Sequence, residues 1–209
     1  MAAASDKTRR RARTRRRKPE LSREGILEVA ADIFREKGYR ATNLQVVADV
    51  FGVRRPAIYY YFKNKSDILV EIHNRLLDAL IAQLDEIEAM EVPANEKFAG
   101  VITGQVQLFA DNIAELAVFI ENETELPRPE YLRARKEKRE YTERLEALYR
   151  QGVEEGVFAD LPPRLVVFAI SGMTNWMYRW YDPAGTYSPA ELGAFFLRLA
   201  QGGYLKSRR

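Results

Sequence analysis

Cysteine is absent from the 209 residues, and histidine occurs once, at His73. The first absence excludes a disulfide scaffold, a thiolate nucleophile and a thiolate metal site. The second excludes a His-rich zinc or iron centre and a His-pair general acid/base site. A Gly-rich phosphate loop, HExxH and GxSxG are missing as well, so the sequence offers no catalytic constellation and implies no cofactor and no metal. Long apolar runs are also missing. The most conspicuous, Leu165 to Ile170, is far short of the roughly 18 residues that cross a bilayer. The N-terminus is positive, but no apolar stretch follows it as in a secretory signal. A cytoplasmic chain with no membrane segment is expected. What is present is a 46% hydrophobic fraction, enough to fill the core of one or two domains.

The net charge of +3 conceals a strong asymmetry. Residues 1–18 hold nine Lys and Arg against Asp6 alone, residues 19–65 hold eight basic and six acidic side chains, and the remainder carries −7. A chain basic at one end and acidic through its body is suited to touch a polyanion with that end. Residues 1–20 are almost without apolar side chains and are closed by Pro19, which predicts a disordered Arg-rich arm.

From Ser22 the hydrophobic period becomes helical. Ile26, Val29, Ala30, Ile33 and Phe34 share one helix face, with Ser22 a candidate N-cap and Gly38 a candidate stop. Thr42 is expected to cap a short helix over 43–50, followed by a turn at 51–53 and a second short helix over 54–61. Ser66 is expected to cap a long helix to about Met90, carried by Leu69, Ile72, Leu76, Leu80, Leu84 and Ile87. Prolines at 93, 127, 129, 162 and 163 divide the rest into helices near 94–112, 114–125, 129–155 and 163–181. Ser188-Pro189 opens a last helix to about 201. No strand alternation and no internal repeat is found. The expected class is all-α, with about nine helices.

Residues 43–62, NLQVVADVFGVRRPAIYYYF, are the most informative stretch. Two short helices joined by a three-residue turn cross closely, which calls for a small residue on the first, here Ala48. The turn calls for a residue that tolerates positive φ, here Gly52. Val47, Val53 and Ile58 fall where apolar residues face inward. This is the spacing of a helix-turn-helix, which sets its second helix into the DNA major groove; some helical hairpins share it. Arg54, Arg55 and Lys65 supply donors for phosphate or guanine, and Thr42 sits at a helix start beside free N–H groups. Tyr59, Tyr60 and Tyr61 pack on one side and offer hydroxyls on the other, and Pro56 lies in the first turn, where a missing N–H costs nothing.

Over about residues 22–76 the chain resembles the TetR-type bacterial repressors, through Phe34, Gly38, Tyr39, Thr42, Ala48, Gly52, Val53, Ile58, Tyr59, Tyr60, Phe62, Lys63, Asn64, Lys65 and Leu69. The resemblance implies that Arg55, Pro56, Ala57 and Tyr59 face or flank base edges, and that Thr42, Tyr60 and Lys65 hold phosphates. Two positions depart from the pattern: Tyr61 stands where His is usual, and Arg54 where a Ser or Thr cap is usual. The resemblance further implies a DNA-binding domain over 21–66 and a helical ligand-sensing and dimerisation domain over 67–209. In that family the last two long helices pair with their symmetry mates.

The apolar patterning of those helices agrees with that. Leu165 to Ile170 is apolar on every side, as in a helix facing both a core and a partner. The last helix carries a stripe of Leu192, Phe195, Phe196, Leu199 and Tyr204. Val166, Ile170, Trp180, Phe195, Phe196 and Leu199 are the expected homodimer interface. Residues 175–181, NWMYRWY, are either core and interface or one wall of an effector pocket. In the second reading Phe109, Phe119, Met173 and Trp176 line it, and Asn175 or Arg179 fixes a polar group. Residues 133–140, RARKEKRE, are either a solvated face with i, i+4 pairs or a basic rim gripping ligand phosphates. An acyl-coenzyme A has an apolar tail and a phosphate head of that kind, and residues 172–181 look like the corresponding helix of TetR-type regulators of fatty-acid and steroid breakdown. A multidrug-type repressor sensing an aromatic or cationic hydrophobe is the alternative within the class. A lipid carrier or a non-specific nucleic-acid coat is the alternative outside it. His73 is expected to pack or face solvent, and Glu121, Glu123 and Glu125 to form a polar face.

Overall fold

The structure, a computed structural model, describes residues 19–204, so the expected Arg-rich arm lies outside the described residues except for Pro19 and Glu20. Among the described residues there are ten α-helical segments, one 3-10 turn and no β-strand. The all-α expectation holds.

Helix α1 (Arg23–Lys37) begins as expected. The Ser22 hydroxyl accepts the Gly25 N–H at 3.1 Å, and the chain leaves the helix at Gly38 with φ 83°. Helix α2 (Leu44–Phe51) is capped one residue later than expected. Asn43, not Thr42, takes the Gln45 and Val46 N–H groups, at 2.9 and 3.3 Å. The Thr42 hydroxyl is drawn back to the Gly38 carbonyl at 2.9 Å instead. Gly52 then adopts the left-handed conformation, φ 69° and ψ 31°, that any Cβ would penalise. Helix α3 (Arg55–Tyr59) follows at once. Helix α4 (Lys65–Glu88) is capped by Asn64 rather than Ser66. The Asn64 side chain accepts the Asp67 N–H at 2.9 Å, and Ser66 donates its hydroxyl to the same oxygen at 2.6 Å. Each such cap is worth about 1 kcal/mol.

The sensor half follows as α5 (Ala94–Asp111), α6 (Ile113–Glu121), a 3-10 turn (Glu123–Glu125), α7 (Arg128–Glu154), α8 (Pro163–Asn175), α9 (Met177–Trp180) and α10 (Pro189–Tyr204). The helix expected over 163–181 is two pieces, interrupted at Trp176. Helix α5 is the central element, packing on α4, α7, α8 and α10. The far end of the domain is filled by Phe98, Tyr149 and Phe158, with ring centroids 5.0–5.8 Å apart. Gly152 is required there, because a Cβ at that position would overlap the Phe158 ring.

Helix α4 belongs to both halves. Ile68, Leu69 and Ile72 join Ile26, Ala30, Phe34, Val47, Ile58 and Phe62 in one buried cluster, while Leu80, Leu84 and Ile87 continue into the sensor. The 66/67 division drawn from the sequence therefore falls in the first turn of a continuous helix. Helix α1 also packs directly on α6, so the first unit rests on the sensor through α1 as well as through the continuous α4.

Candidate nucleic-acid interface and sensor core

The turn between α2 and α3 is held from inside. Val53 donates its N–H to the Ala48 carbonyl at 3.1 Å, and Val47, Ala48 and Ile58 are wholly buried. This anchors the inner side of α3 and leaves Arg54, Arg55, Pro56, Tyr59 and Tyr60 exposed, with Ala57 half-buried among them. The Arg55 guanidinium lies 5.0 Å from the Tyr59 ring centroid, a cation–π contact that restrains its long side chain. Tyr60 is 86% exposed, an extreme value for a tyrosine in a folded unit. Tyr61 turns the other way and donates its hydroxyl to the Leu21 carbonyl at 3.3 Å. Arg54 at the N-cap position makes no side-chain cap, which leaves it free to contact a polyanion.

Thr42 and Lys65 are placed differently from the expectation that they hold phosphates. Thr42 is 4% exposed; its N–H goes to the Tyr39 carbonyl at 3.2 Å and its hydroxyl to Gly38, so neither donor is left for a phosphate. The Lys65 ammonium donates to the carbonyls of Tyr39 and Thr42 at 2.6 and 2.8 Å and sits 4.1 Å from the Tyr39 ring centroid. Burial pushes it below the usual lysine range, opposed by the charge of Glu125. Two of its three protons are spent stapling the α1–α2 turn to the start of α4. Gln45, and Lys63, to which the sequence gave no contact role, are exposed on the same small unit. Their signal was position alone, flanking α3 and opening α2.

The six residues expected to line an effector pocket do not converge. Phe109 is buried within the domain, and Phe119 is buried beneath the Lys138 ammonium, 3.9 Å from its ring centroid. Met173 instead borders an apolar groove of about 370 Å³ with Leu161, Leu165, Val166, Ile170 and Leu199. Asn175 and Trp176 face outward, and Arg179 pairs with Glu121 at 2.9 Å. The basic run on α7 is largely neutralised. Arg133 pairs with Glu130 and Glu137, Lys136 with Glu140, Lys138 with Glu123 and Arg139 with Glu143. The solvated, paired face is the reading the geometry favours.

The polar groups inside the sensor are others. His73 on α4 is 1% exposed, and among the described residues neither ring nitrogen has a hydrogen-bond partner. Burial, with the Lys138 charge adding to it, pushes its pKa down to about 3, so the imidazole is neutral. Gln105 on α5 donates to the Tyr141 hydroxyl at 2.8 Å and accepts from the Thr174 hydroxyl at 3.1 Å, joining α5, α7 and α8. Burial pushes Tyr141 up to about 12. The sequence carried a signal for His73, which sits four residues from both Leu69 and Leu77 on the apolar face of α4.

The apolar run 165–170 is not buried all round within one chain. Val167 and Ile170 face in, whereas Leu165 is 64% and Phe168 48% exposed. Of the expected dimer residues, Trp180, Phe195 and Leu199 are exposed and Val166 is half-buried. Ile170 and Phe196 belong to the chain's own core. Leu165, Phe168 and Trp176 add three more large apolar side chains exposed on α8 and at its junction with α9.

A helix-turn-helix with a presented second helix, joined through α4 to an all-helical sensor, defines a DNA-binding regulator. Residues 26–72 match the model of the bacterial regulatory proteins of the tetR family, and residues 91–204 match a tetracyclin repressor-like C-terminal domain. The chain belongs to the TetR family, whose members are transcriptional regulators rather than enzymes. It is 29% identical over 192 residues to the transcriptional repressor KstR2 of Mycobacterium tuberculosis, covering 88% of this chain and 94% of that one. The solved structure of that ketosteroid regulator superposes with a TM-score of 0.84 at 27% identity, covering 88% and 95% of the two chains. AibR, solved with isovaleryl coenzyme A and operator DNA, shares the fold with a TM-score of 0.74 at 21% identity, covering 86% of this chain and 97% of its own. Among the described residues no helix is long and apolar enough to cross a membrane, and no cluster of His, Asp or Glu is placed to hold a metal ion.

Proposed function

We propose that this chain is a repressor that binds a near-palindromic operator as a homodimer in the cytoplasm and is released by a hydrophobic effector, an acyl-coenzyme A thioester. The observation that carries the reading is the coexistence on one chain of two uncovered surfaces of opposite character. One is the α3 surface of Arg54, Arg55, Pro56, Ala57, Tyr59 and Tyr60. The other is the apolar face of α8, α9 and α10. Pairing two copies through the second sets two copies of the first one helical turn apart on a duplex, the geometry that reads half-sites. The DNA-reading unit is residues 21–66 with the first turns of α4, and the sensor is the remainder. KstR2, similar along nearly the whole chain, is a repressor, and AibR holds an acyl thioester and an operator within the same fold. Release requires only that the effector bind a conformer with misplaced α3 helices better than the DNA-competent one.

In vitro selection of bound duplexes, repeated with octanoyl- and decanoyl-coenzyme A, tests the reading. A two-fold symmetric site that is lost on adding thioester is expected. Equal binding to all duplexes refutes the operator, and thioester-independent affinity refutes the effector. Arg55→Ala separates base reading from mere attraction, because only a base contact changes the selected sequence.

A further inference from the structure

One buried polar side chain is short of hydrogen bonds. His73 lies inside the sensor with neither ring nitrogen in a hydrogen bond of full geometry among the described residues, and the Val118 backbone draws on its proton without overcoming the cost of burial, which Phe or Leu would not incur. Its surroundings are selective. The Phe119 ring lies 5.1 Å from it, and the same ring carries the Lys138 ammonium at 3.9 Å. Lys138 is also mostly withdrawn from water, which pushes its pKa down against the pull of Glu123. Its only acidic partner among the described residues is Glu123, at 3.0 Å. Tyr141 stands one helical turn along α7 from Lys138 and carries the Gln105–Thr174 chain. The imidazole ring is tilted 35° to the Phe119 ring and the ammonium lies against that same ring, so a neutral imidazole N–H and an ammonium, each able to donate to an acceptor oxygen, share one aromatic neighbour inside an apolar domain.

We propose that His73 and Lys138 form the recognition site for a carbonyl or carboxylate oxygen at the buried end of an otherwise apolar effector, and that this oxygen competes with Glu123 for Lys138. The inference rests on the acyl-thioester reading above and deepens it, since it fixes where the far end of the acyl chain goes. The Phe119 ring lies against both groups, so admitting the oxygen requires that ring to turn aside.

Calorimetric titration with three thioesters of one chain length decides it: decanoyl-, 9-oxodecanoyl- and 9-carboxynonanoyl-coenzyme A. A site built around buried donors rejects an analogue that lacks the acceptor, so at least one oxygenated thioester binds tenfold or more tightly than decanoyl-coenzyme A. The two oxygenated arms tell a carbonyl from a carboxylate. In His73→Phe that advantage falls to twofold or less while decanoyl affinity is kept, and the melting temperature of the unliganded protein rises by a few degrees, showing that the fold is intact. Glu123→Gln strengthens binding of the carboxylate form. Equal affinity for all three thioesters, or an advantage that survives His73→Phe, overturns the site while leaving the thioester reading standing. Binding of none of them removes the thioester reading and this inference with it.

Discussion

Replacing Phe195 by Asp tests the apolar face of α8, α9 and α10 at one of its most prominent points. Phe195 is 58% exposed in the single chain, on a helix whose neighbouring Phe196 is buried in the core. Full burial of a Phe side chain is worth about 1.5–3 kcal/mol, so covering the exposed share contributes about 1–2 kcal/mol per subunit. An isologous interface uses each position twice, which makes the loss about 2–4 kcal/mol per dimer. That weakens self-association by about 30- to 1,000-fold before the cost of desolvating two carboxylates is added. Sedimentation velocity across nanomolar to micromolar protein reads the dissociation constant directly. Val50→Asp, at an exposed position on α2 in the DNA-reading unit, serves as the control and leaves the constant unchanged. If Phe195→Asp sediments with the wild-type constant, or if the wild type is a monomer at micromolar concentration, this face is not a subunit interface.

Arg55→Ala is expected to weaken operator binding by about 1–3 kcal/mol and to relax the preference at the base it meets, measured by fluorescence anisotropy on singly substituted duplexes. A uniform loss on all sequences would mean that Arg55 touches phosphate only. Gly152→Ala pushes a methyl into the Phe158 ring and is expected to cost about 1–3 kcal/mol, a fall of several degrees in Tm by calorimetry, because the Phe98–Tyr149–Phe158 cluster has no room to yield. The pKa of His73 is held near 3, below the value of about 6.5 that it takes when unfolded. The unfolded chain therefore binds the extra proton, so His73 adds no pH-dependent penalty above pH 6.5, and a penalty to stability grows as pH falls towards 3. At pH 4.5 the loss is about 2–3 kcal/mol, and urea denaturation should show it in the wild type and not in His73→Phe. Parallel pH profiles for the two proteins would refute the sign or the burial.

How far the sequence could be read varied with whether a residue's role was local. The face Ile26, Ala30, Ile33 and Phe34 and the turn at Gly52 were legible because helical period and positive φ are properties of a few adjacent residues. The caps of α2 and α4 were misplaced by one or two residues because Thr42 and Asn43, or Asn64 and Ser66, are all competent caps. What separates Thr42 from Asn43 is the Gly38 carbonyl, supplied by the preceding turn. Lys65 looked like a phosphate ligand, and its occupation by two carbonyls depends on where the α1–α2 turn comes to rest. The run 165–170 has no polar side to orient it, so nothing local told Val167 and Ile170, which face in, from Leu165 and Phe168, which face out. The aromatic density at 175–181 was likewise without direction, and the break at Trp176 turns that ring outward. The interior polar groups were the opposite case: His73 stood on an apolar stripe in plain sight, but its significance lies in lacking a partner, which only the packed structure reveals.

Communication between the two halves has several candidate carriers, and magnitudes rank them. The ion pairs Arg75–Glu24 and Arg40–Glu125, which link the two halves, have exposed arginines and are worth at most about 1 kcal/mol each at physiological salt. Repression and release need a population shift of several kcal/mol, which such pairs do not supply. The packed contacts do. Helix α4 is unbroken from Lys65 to Glu88, so its first turns, buried against α1–α3, move with its later turns. His73 lies eight residues beyond Lys65, about 12 Å along the axis, on the part of α4 whose buried neighbours continue the single core from the DNA-reading unit into the sensor. Phe119, which covers His73, is on α6, and α6 is the helix on which α1 rests. On the effector site proposed above, a group inserted between His73 and Phe119 pushes on both supports of the DNA-reading unit at once. Packed interfaces respond to such a wedge by switching between discrete arrangements rather than by bending in proportion. On the function proposed above, release depends on what separates α4 from α6, and the surface ion pairs set only the starting balance.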